Sequence, residues 1–462
     1  MFRNIFNTFA NCFKIPELKS RIWFTLGVLA VCRLLAYIVI PGLDGRALAE
    51  FMNKNAQGGL LGMYNTFAGG AYGNCAIGSL GIMPYISATI IIQLLGAVWP
   101  RLSKLQREEG GRAKIIQYGR YLTVLICLGQ GLYFASGWEN PEKVIQGFQG
   151  RLVLIDNQFL YLFQTVLVMT TGTMLLMWLG EQISDRGVGN GVSLVITIGI
   201  VARLPSAVVG TLDMFHPAGG IESQYHFMGT GVVLVLLLAL VIGGVIAVTQ
   251  AQRKIPVQYA QRAVGRKLYS GGTSFMPLRV NYSGVMPIIF AQSILLFPGP
   301  ICSKLADFFA KTPFFYEVFH QLTVMLSERS VFYMSLYGLM ILFFSYFWVA
   351  TQFNEIQIAD DLKKNGGYIP GVRPGQGTSD YLHRAMSRIT LAGAIFLTII
   401  AIIPILLSRQ LNVPYNVSQF FGGTSMLITV GVLLDTMRQV ESHLMMRHYD
   451  GFLKKGKLRG RF

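Results

Sequence analysis

The sequence predicts an all-α polytopic membrane protein with ten transmembrane helices. Three observations carry that reading. Of its 462 residues, 52% are hydrophobic and 13% charged, where a soluble chain carries about 25% charged residues. Apolar runs recur along the whole length. The basic residues, which give a formal net charge of +17, are sorted between the runs in alternation.

Ten apolar segments follow in order: Ile22–Ile40, Ile77–Val98, Tyr121–Ser136, Leu160–Leu179, Val192–Leu204, Gly229–Val248, Val285–Phe297, Val331–Ala350, Ile389–Leu406 and Phe421–Met437. Several are short and need flanking residues to cross a hydrocarbon layer of about 30 Å. On one side of these segments lie 29 Lys and Arg residues and on the other 9, with Arg33 inside the first span completing the 39. That asymmetry places both termini in the cytoplasm and explains the +17 without a nucleic-acid-binding domain. Ten spans divide as five plus five. An odd number per half sets the second half upside down, so two five-helix inverted halves are allowed.

The N-terminus, 1–21, is basic and amphipathic. No small-residue cleavage site follows the first apolar run, so no removable signal peptide is expected. The five cysteines form no CxxC pair. "RGVGNGVS" (Arg186–Ser193) resembles a glycine-rich nucleotide loop, but it joins two spans and is expected to be a turn. There is no Walker A motif and no HExxH, and no histidine falls in a span. The chain is therefore expected to be neither an enzyme nor a metal protein, with no cofactor.

Arg33 and Asp435 are ionisable residues in spans, and such residues point to function. Arg33 is expected to anchor the first span to buried carbonyls or to a subunit. Gln93, Gln130, Gln164 and Gln292 are polar residues in apolar spans, suited to interhelical hydrogen bonds.

Two segments exceed what orientation needs. The loop 249–284 carries Arg253, Lys254, Arg262, Arg266, Lys267 and Arg279 and no acidic residue, and the loop 351–388 adds Lys363, Lys364, Arg373 and Arg384. Both suit a large anionic partner, such as ribosomal RNA or an acidic protein face. The stretch from Lys54 to Arg101 raises a further question. It holds no charge between those residues, yet about 20 residues suffice for one crossing. Within it, "NAQGGLLGMYNTFAGGAYGN" reads as a short amphipathic helix between glycine pairs.

Five motifs, "LGIMPYISATIIIQLL" (Leu80–Leu95), "WLGEQISDRGVGNGVSLVI" (Trp178–Ile196), "IPVQYAQRAVGRK" (Ile255–Lys267), "IPGVRPGQGT" (Ile369–Thr378) and "FGGTSMLI" (Phe421–Ile428), together resemble the SecY family. SecY is the central subunit of the bacterial protein-conducting channel. The resemblance runs in order from the first span to the tail.

The resemblance implies two five-helix halves closing around an hourglass pore whose waist is a ring of aliphatic side chains. Carried onto this chain, the ring is Ile82, Ile86, Val192, Ile196, Ile289 and Ile428. Val192 replaces the usual isoleucine, which implies a slightly wider waist. Ile82 and Ile86, like Val192 and Ile196, are spaced i, i+4 and share a helix face. An apolar constriction resists wetting and blocks ions.

The resemblance also implies a plug that folds back into the channel over 59–70, with Gly59, Leu60, Leu61, Tyr64, Phe67 and Gly70 as its residues. Leu60, Tyr64 and Phe67 follow helical spacing, and the glycines supply a hinge. A lateral gate between the second and third spans and the seventh and eighth would release apolar segments into lipid, with Gln93, Gln130 and Gln292 as candidate polar contacts across it.

Arg253, Lys254, Arg262, Arg266, Lys267, Lys363, Lys364 and Arg373 would dock cytoplasmic partners. The implied partners are the small membrane subunits SecE and SecG, the SecA motor ATPase, the ribosome, signal peptides with their nascent chains, and membrane lipid. The implied location is the cytoplasmic membrane.

The expected organisation is thus a cytoplasmic segment 1–21, a first half 22–204, an external loop 205–228, a second half 229–437 and a basic tail 438–462. The external loop is longer than the family resemblance implies. An ion-coupled transporter of a small solute would also use ten spans and an inverted repeat, but it leaves the basic loops and the plug unexplained.

Overall fold

The computed structural model describes residues 15–54, 60–108, 110–139, 141, 148, 150–215, 229, 231–259, 262–264, 267–269, 272–309, 311–327, 330–411, 417 and 424–455. The chain divides into two compact units. The first comprises Met1–Ile221, Pro414–Val417 and Val432–Phe462; the second comprises Glu222–Val413 and Ser418–Gly431.

The first unit opens with α1 (Pro16–Leu34). Its proline sits in the first turn, where no N–H is needed, and Glu17 and Arg33 complement the helix dipole at opposite ends. Then come α2 (Gly45–Lys54) and α3 (Leu60–Phe67). Turns lead from α3 back to α4 (Met83–Val98).

The returning backbone is satisfied by the segment after α1. The Ile77 N–H donates to the Ile38 carbonyl and the Ile40 N–H to the Cys75 carbonyl, each at 2.9 Å, around a Val39–Ala76 bridge. Irregular backbone is tolerated in a membrane only when protein or a wet cavity surrounds it. Here a β-like bridge supplies the partners.

Next are α5 (Pro100–Arg107), α6 (Gly111–Glu139), α7 (Gln158–Arg186), α8 (Gly191–Val201) and α9 (Leu204–Phe215). Asn157 caps α7 through bonds from the Phe159 and Leu160 amides, and Asn190 caps α8 through the Ser193 amide. α7 passes the returning chain closely. A Cβ at Gly172 would lie 2.3 Å from the Ile77 carbonyl oxygen, so only glycine fits. Trp138, Tyr72 and Tyr161 are fully buried in this unit, and the Tyr161 hydroxyl donates to the Ala135 carbonyl at 3.0 Å.

The second unit begins with α10 (Val232–Gln250). A hairpin follows, in which β1 (Gln252–Tyr259) pairs antiparallel with β4 (Thr273–Arg279), and a separate smaller pair, β2 (Arg262–Val264) and β3 (Lys267–Tyr269), comes between them in the chain. Helices α11 (Met286–Leu295), α12 (Pro298–Phe308), α13 (Pro313–Met325), α14 (Val331–Gln352) and α15 (Glu355–Lys364) lead to β5 (Gly367–Tyr368) and α16 (Gln376–Leu411).

β5 pairs with the far end of β1, giving a sheet of order β4-β1-β5. Pro256 sits mid-strand where only β4 lies beside it, so the missing N–H interrupts no second ladder. The final helix, α17 (Thr424–Lys455), begins in the second unit and from Val432 belongs to the first. Around Leu18 and Val188 it contributes Val440 and Leu444 to an apolar cluster.

The structure revises the sequence reading at three places. The basic segments 249–284 and 351–388 are not merely loops: they share a sheet, so the chain is predominantly but not entirely α. The alternation of buried Ile255 and Val257 with exposed neighbours signals β1, but Pro256 and the surrounding charges hid it. The fifth apolar segment does not stop at Leu204. It continues after a break at 202–203 as α9, giving a candidate span Gly191–Leu212, and Pro205 stands in the first turn of a new helix instead of ending one. Half of the expected external loop is therefore helix, and 216–228 lies outside the described residues.

Among the described residues, six helical stretches are long and apolar enough to cross a membrane: Gln158–Arg186, Gly191–Leu212, Val232–Gln250, Met286–Phe308, Val331–Lys364 and Gln376–Ile403. Exposed side chains such as Phe159, Phe163, Val235 and Leu236 stud them, as lipid-facing positions require. The other four expected spans coincide with α1, α4, α6 and α17. These are short or carry charge at one end; α4 has 16 residues, about 24 Å of helix.

Candidate functional site

α3 is a plug-sized helix seated inside the first unit. Tyr64 at its centre is 4% exposed and donates its hydroxyl to the Leu80 carbonyl at 3.0 Å. Its ring lies 4.6 Å from Phe134 and 5.9 Å from Tyr72, and Tyr72 in turn packs on Trp138 at 5.4 Å. Phe67 is buried and lines a small cavity with Ile82, Leu176, Val195 and Gly199. The two rings thus serve different surfaces: Tyr64 joins an aromatic cluster with α6, and Phe67 meets α4 and α8. Gly59 lies outside the described residues, and Leu60 and Leu61 form the first turn of α3.

The exit from α3 is tied down more firmly than its entry signals suggest. Gly69 and Gly70 adopt φ of 64° and 88°, values that favour glycine. The Gly70 N–H donates to the Asn65 carbonyl at 2.8 Å, and the Gly73 N–H donates to Asn65 Oδ1 at 2.9 Å.

Two arginines reach this turn. Arg33 of α1 donates to the Gly69 carbonyl. Arg203, just beyond α8, donates to Thr66 Oγ1 at 3.0 Å. Gly199 of α8 completes the seat, because a Cβ there would stand 3.2 Å from Gly69 Cα. The sequence marked Arg33 as an anchor to buried carbonyls or to a subunit, and the Gly69 carbonyl is one of its acceptors. Arg203 and Asn65 escaped notice. Arg203 carried a usable signal, a charge inside the apolar segment Val192–Leu204, but it was counted with the flanking loop.

The ring candidates are distributed over both units. Ile82 caps the start of α4 and is 2% exposed, and Ile86 is buried one turn later. Val192 is half-buried in the first turn of α8, and Ile196 is buried. Gly180 of α7 brings these segments together: a Cβ there would lie 3.5 Å from the Val192 nitrogen and 3.7 Å from Ile82 Cδ1.

In the second unit, α11 and the start of α17 pack antiparallel. Gln292 Nε2 donates to Thr424 Oγ1 at 2.8 Å, and a Cβ at Gly431 would collide with Val285 Cγ1. These two contacts bracket Ile289 and Ile428, both buried, and set them at the same level.

Gln292 bonds within the second unit, while Gln93 sits on α4 and Gln130 on α6. Among the described residues, both amide atoms of Gln130 and the Oε1 atoms of Gln93 and Gln292 are buried without a hydrogen-bond partner. Gln164 Nε2 donates to the Pro41 carbonyl at 3.2 Å.

Several of the basic candidates stand on one packed base in the second unit. Ile255 and Leu278 of the hairpin are buried with Phe353, Ile369, Leu382 and Met386. Arg253 and Lys254 are exposed at the start of β1. Lys363 and Lys364 close the last turn of α15, where cations complement the helix dipole. Arg373 is exposed in the following turn, held by Thr378 Oγ1 donating to the Arg373 carbonyl at 3.1 Å. Arg262 and Lys267 belong to β2 and β3, and Arg266 lies outside the described residues.

Comparison with known proteins matches the SecY family over residues 76–437. A protein translocase subunit SecY from Chlamydia muridarum is 41% identical over 462 residues, covering 98% of this chain and 99% of that protein. The SecY of Escherichia coli strain K12 is 41% identical over 447 residues, covering 96% of each. Among solved structures, one described as "The structure of a protein conducting channel" shares the fold, with a TM-score of 0.57 at 17% identity, covering 97% of this chain and 99% of that one. A yeast Ssh1 complex bound to the 80S ribosome has a TM-score of 0.59 at 13% identity, covering 90% and 89%.

Proposed function

Because the chain belongs to the SecY family, we infer that it is the protein-conducting subunit of a translocase: a multi-pass membrane channel that passes unfolded secretory polypeptides across the membrane and releases apolar segments sideways into lipid. The relatives are named as translocase subunits, and none of this favours an ion-coupled carrier of a small solute. The observation that carries the reading is the seating of α3, an eight-residue helix lodged among α1, α4, α6 and α8 where a simple crossing would need no such element.

In this reading 59–70 is the plug. Ile82, Ile86, Val192, Ile196, Ile289 and Ile428 form the waist, which repels water when empty and yields to a passing chain. Gln93, Gln130 and Gln292 lie on helices flanking the lateral gate, and their unsatisfied amide atoms would take polar partners when the gate rearranges. Each Leu, Ile or Phe of a signal segment gains about 0.3–0.6 kcal/mol at mid-membrane, so a run of ten or more favours exit into lipid.

The ten apolar segments support ten spans, the charge asymmetry supports both termini in the cytoplasm, and membership of the family supports residence in the cytoplasmic membrane. The sheet-based platform bearing Arg253, Lys254, Arg262, Arg266, Lys267, Lys363, Lys364 and Arg373 would dock a SecA motor or the anionic surface of a ribosome. SecE and SecG are the small subunits expected beside it. The test is electrical: channel reconstituted in a planar bilayer should be silent at rest and should pass ions in large discrete steps once 59–70 is deleted. A carrier would give no such steps.

A further inference from the structure

The seat of α3 contains two guanidinium groups that the channel reading leaves unused. Arg33 sits in the last turn of α1, deep in the sequence of the first span. One of its terminal nitrogens donates to the Gly69 carbonyl. The other donates to the Tyr37 hydroxyl at 3.0 Å, and the guanidinium carbon stands 4.8 Å from the centre of the same ring. Tyr37 therefore holds the head of Arg33 in one orientation by a hydrogen bond and a cation–π contact.

Arg203 reaches the same turn from the break that follows α8. It donates to Thr66 Oγ1 at 3.0 Å, and that hydroxyl in turn donates a hydrogen bond to the Gly62 carbonyl at 2.9 Å. The guanidinium also passes over Gly70, where a Cβ would lie 3.7 Å from two of its nitrogens. A charged residue at membrane depth is costly unless the protein uses it. Both of these act on the same five-residue turn, and each meets a neutral acceptor on it, a carbonyl or a hydroxyl. A hydrogen bond from a charged donor is worth more than one between neutral groups, but it is broken in one step when the acceptor moves away.

We propose that Arg33 and Arg203 are a two-point latch on the C-terminal turn of the plug, and that they set how strong a signal segment must be to open the channel. The proposal rests on the plug reading of 59–70. The arginines are positioning residues: they touch the plug, not the translocating chain. Each contact raises the free energy of the displaced state relative to the seated one, so losing either shifts the population toward the open channel.

The test uses the full-length channel purified from its membrane and reconstituted in proteoliposomes. A cysteine introduced by Ala68→Cys, with Cys12→Ser and Cys302→Ser, reports departure of the plug through its rate of modification by a membrane-impermeant maleimide. The other cysteines are buried. Export of a client with a weakened signal is measured alongside.

Arg33→Gln, Arg203→Gln and Thr66→Val should each raise the modification rate about tenfold and increase export of the weak-signal client. Arg33→Lys, Arg203→Lys and Thr66→Ser should recover much of the effect, which a purely packing role would not allow. Arg203→Gln combined with Thr66→Val should be no worse than Arg203→Gln alone, because both remove the Arg203–Thr66 bond. Arg33→Gln combined with Arg203→Gln should exceed each. Thr66→Val conserves volume, so it keeps the test open even where an arginine variant fails to accumulate.

Wild-type modification and export in Thr66→Val and Arg33→Gln, with a deletion of 59–70 that leaks, would overturn the latch and leave the plug standing. A deletion of 59–70 that is silent and still rejects weak signals would overturn the plug reading itself.

Discussion

Arg203 and Thr66, separated by 137 positions in the chain, are joined by a 3.0 Å hydrogen bond. The bond links the end of α8 to the last turn of α3. α8 also carries Val192 and Ile196 and, at Gly199, a close backbone approach to the turn after α3. One helix therefore presents two candidate waist residues at its start and, through Gly199 and the Arg203 that follows it, meets the turn that ends α3. A chain that displaces α8 at the waist would disturb the plug seat through the same rigid element.

Gly199→Ala should loosen the plug without touching either arginine. The added methyl would stand 3.2 Å from Gly69 Cα and 3.4 Å from its nitrogen, and Gly69, with φ of 64° and its carbonyl held by Arg33, has little room to retreat. The expected outcome is intermittent single-channel current at rest and more export of a weak-signal client, with thermal stability lowered by about 1 kcal/mol or more. A channel that stays closed would show that the seat has slack.

Tyr64 separates plug packing from plug bonding. Tyr64→Phe removes the hydroxyl that meets the Leu80 carbonyl and should cost about 1 kcal/mol. Tyr64→Ala also vacates the space against Phe134 and Tyr72 and should cost about 3–5 kcal/mol of stability. Thermal unfolding of the purified channel measures both, and the larger loss should be accompanied by a resting leak.

The waist should fail by wetting. Replacing Ile289 and Ile428 together with Ser puts two hydroxyls at one level of the second unit and should raise ion conductance through a channel held open by a client. The same pair changed to Leu should leave conductance near the wild-type value. Equal conductance in the two double variants would remove these residues from the ring.

Arg373→Glu should strongly impair motor-driven export while the protein accumulates and inserts normally. Its side chain is exposed, and the turn that carries it is fixed through its carbonyl by Thr378, so charge reversal damages docking and not folding. Raising ionic strength should weaken wild-type docking in the same direction. Normal export by a stably expressed variant would exclude Arg373 from the docking face.

The legible parts of this protein were those set by local chemistry. Apolar length and composition marked at least part of each of the six apolar spans found among the described residues. The seventh apolar segment, Val285–Phe297, by contrast, holds only Met286–Leu295, and the candidate span runs on through a further helix, Pro298–Phe308, because a proline that starts a helix and one that ends it look alike in a string. β1 was hidden for a related reason. Its burial alternates only because β4 and the core around Phe353 and Leu382 lie beside it, and its own residues, rich in charge and interrupted by Pro256, argue for a loop.

By itself the sequence determined the membrane class, the alternation of basic and neutral connections and the presence of a short uncharged helix between two glycine pairs, because hydropathy, charge and glycine content act residue by residue. Only the tertiary structure decided what that helix meets. Asn65 bonding to Gly73, Tyr64 turning to Leu80 and Phe134, Arg33 reaching Gly69 and Arg203 reaching Thr66 are pairings across up to 137 positions. A hydrogen bond acts only over about 3 Å, and nothing in one residue's chemistry names the partner that folding will bring within that distance.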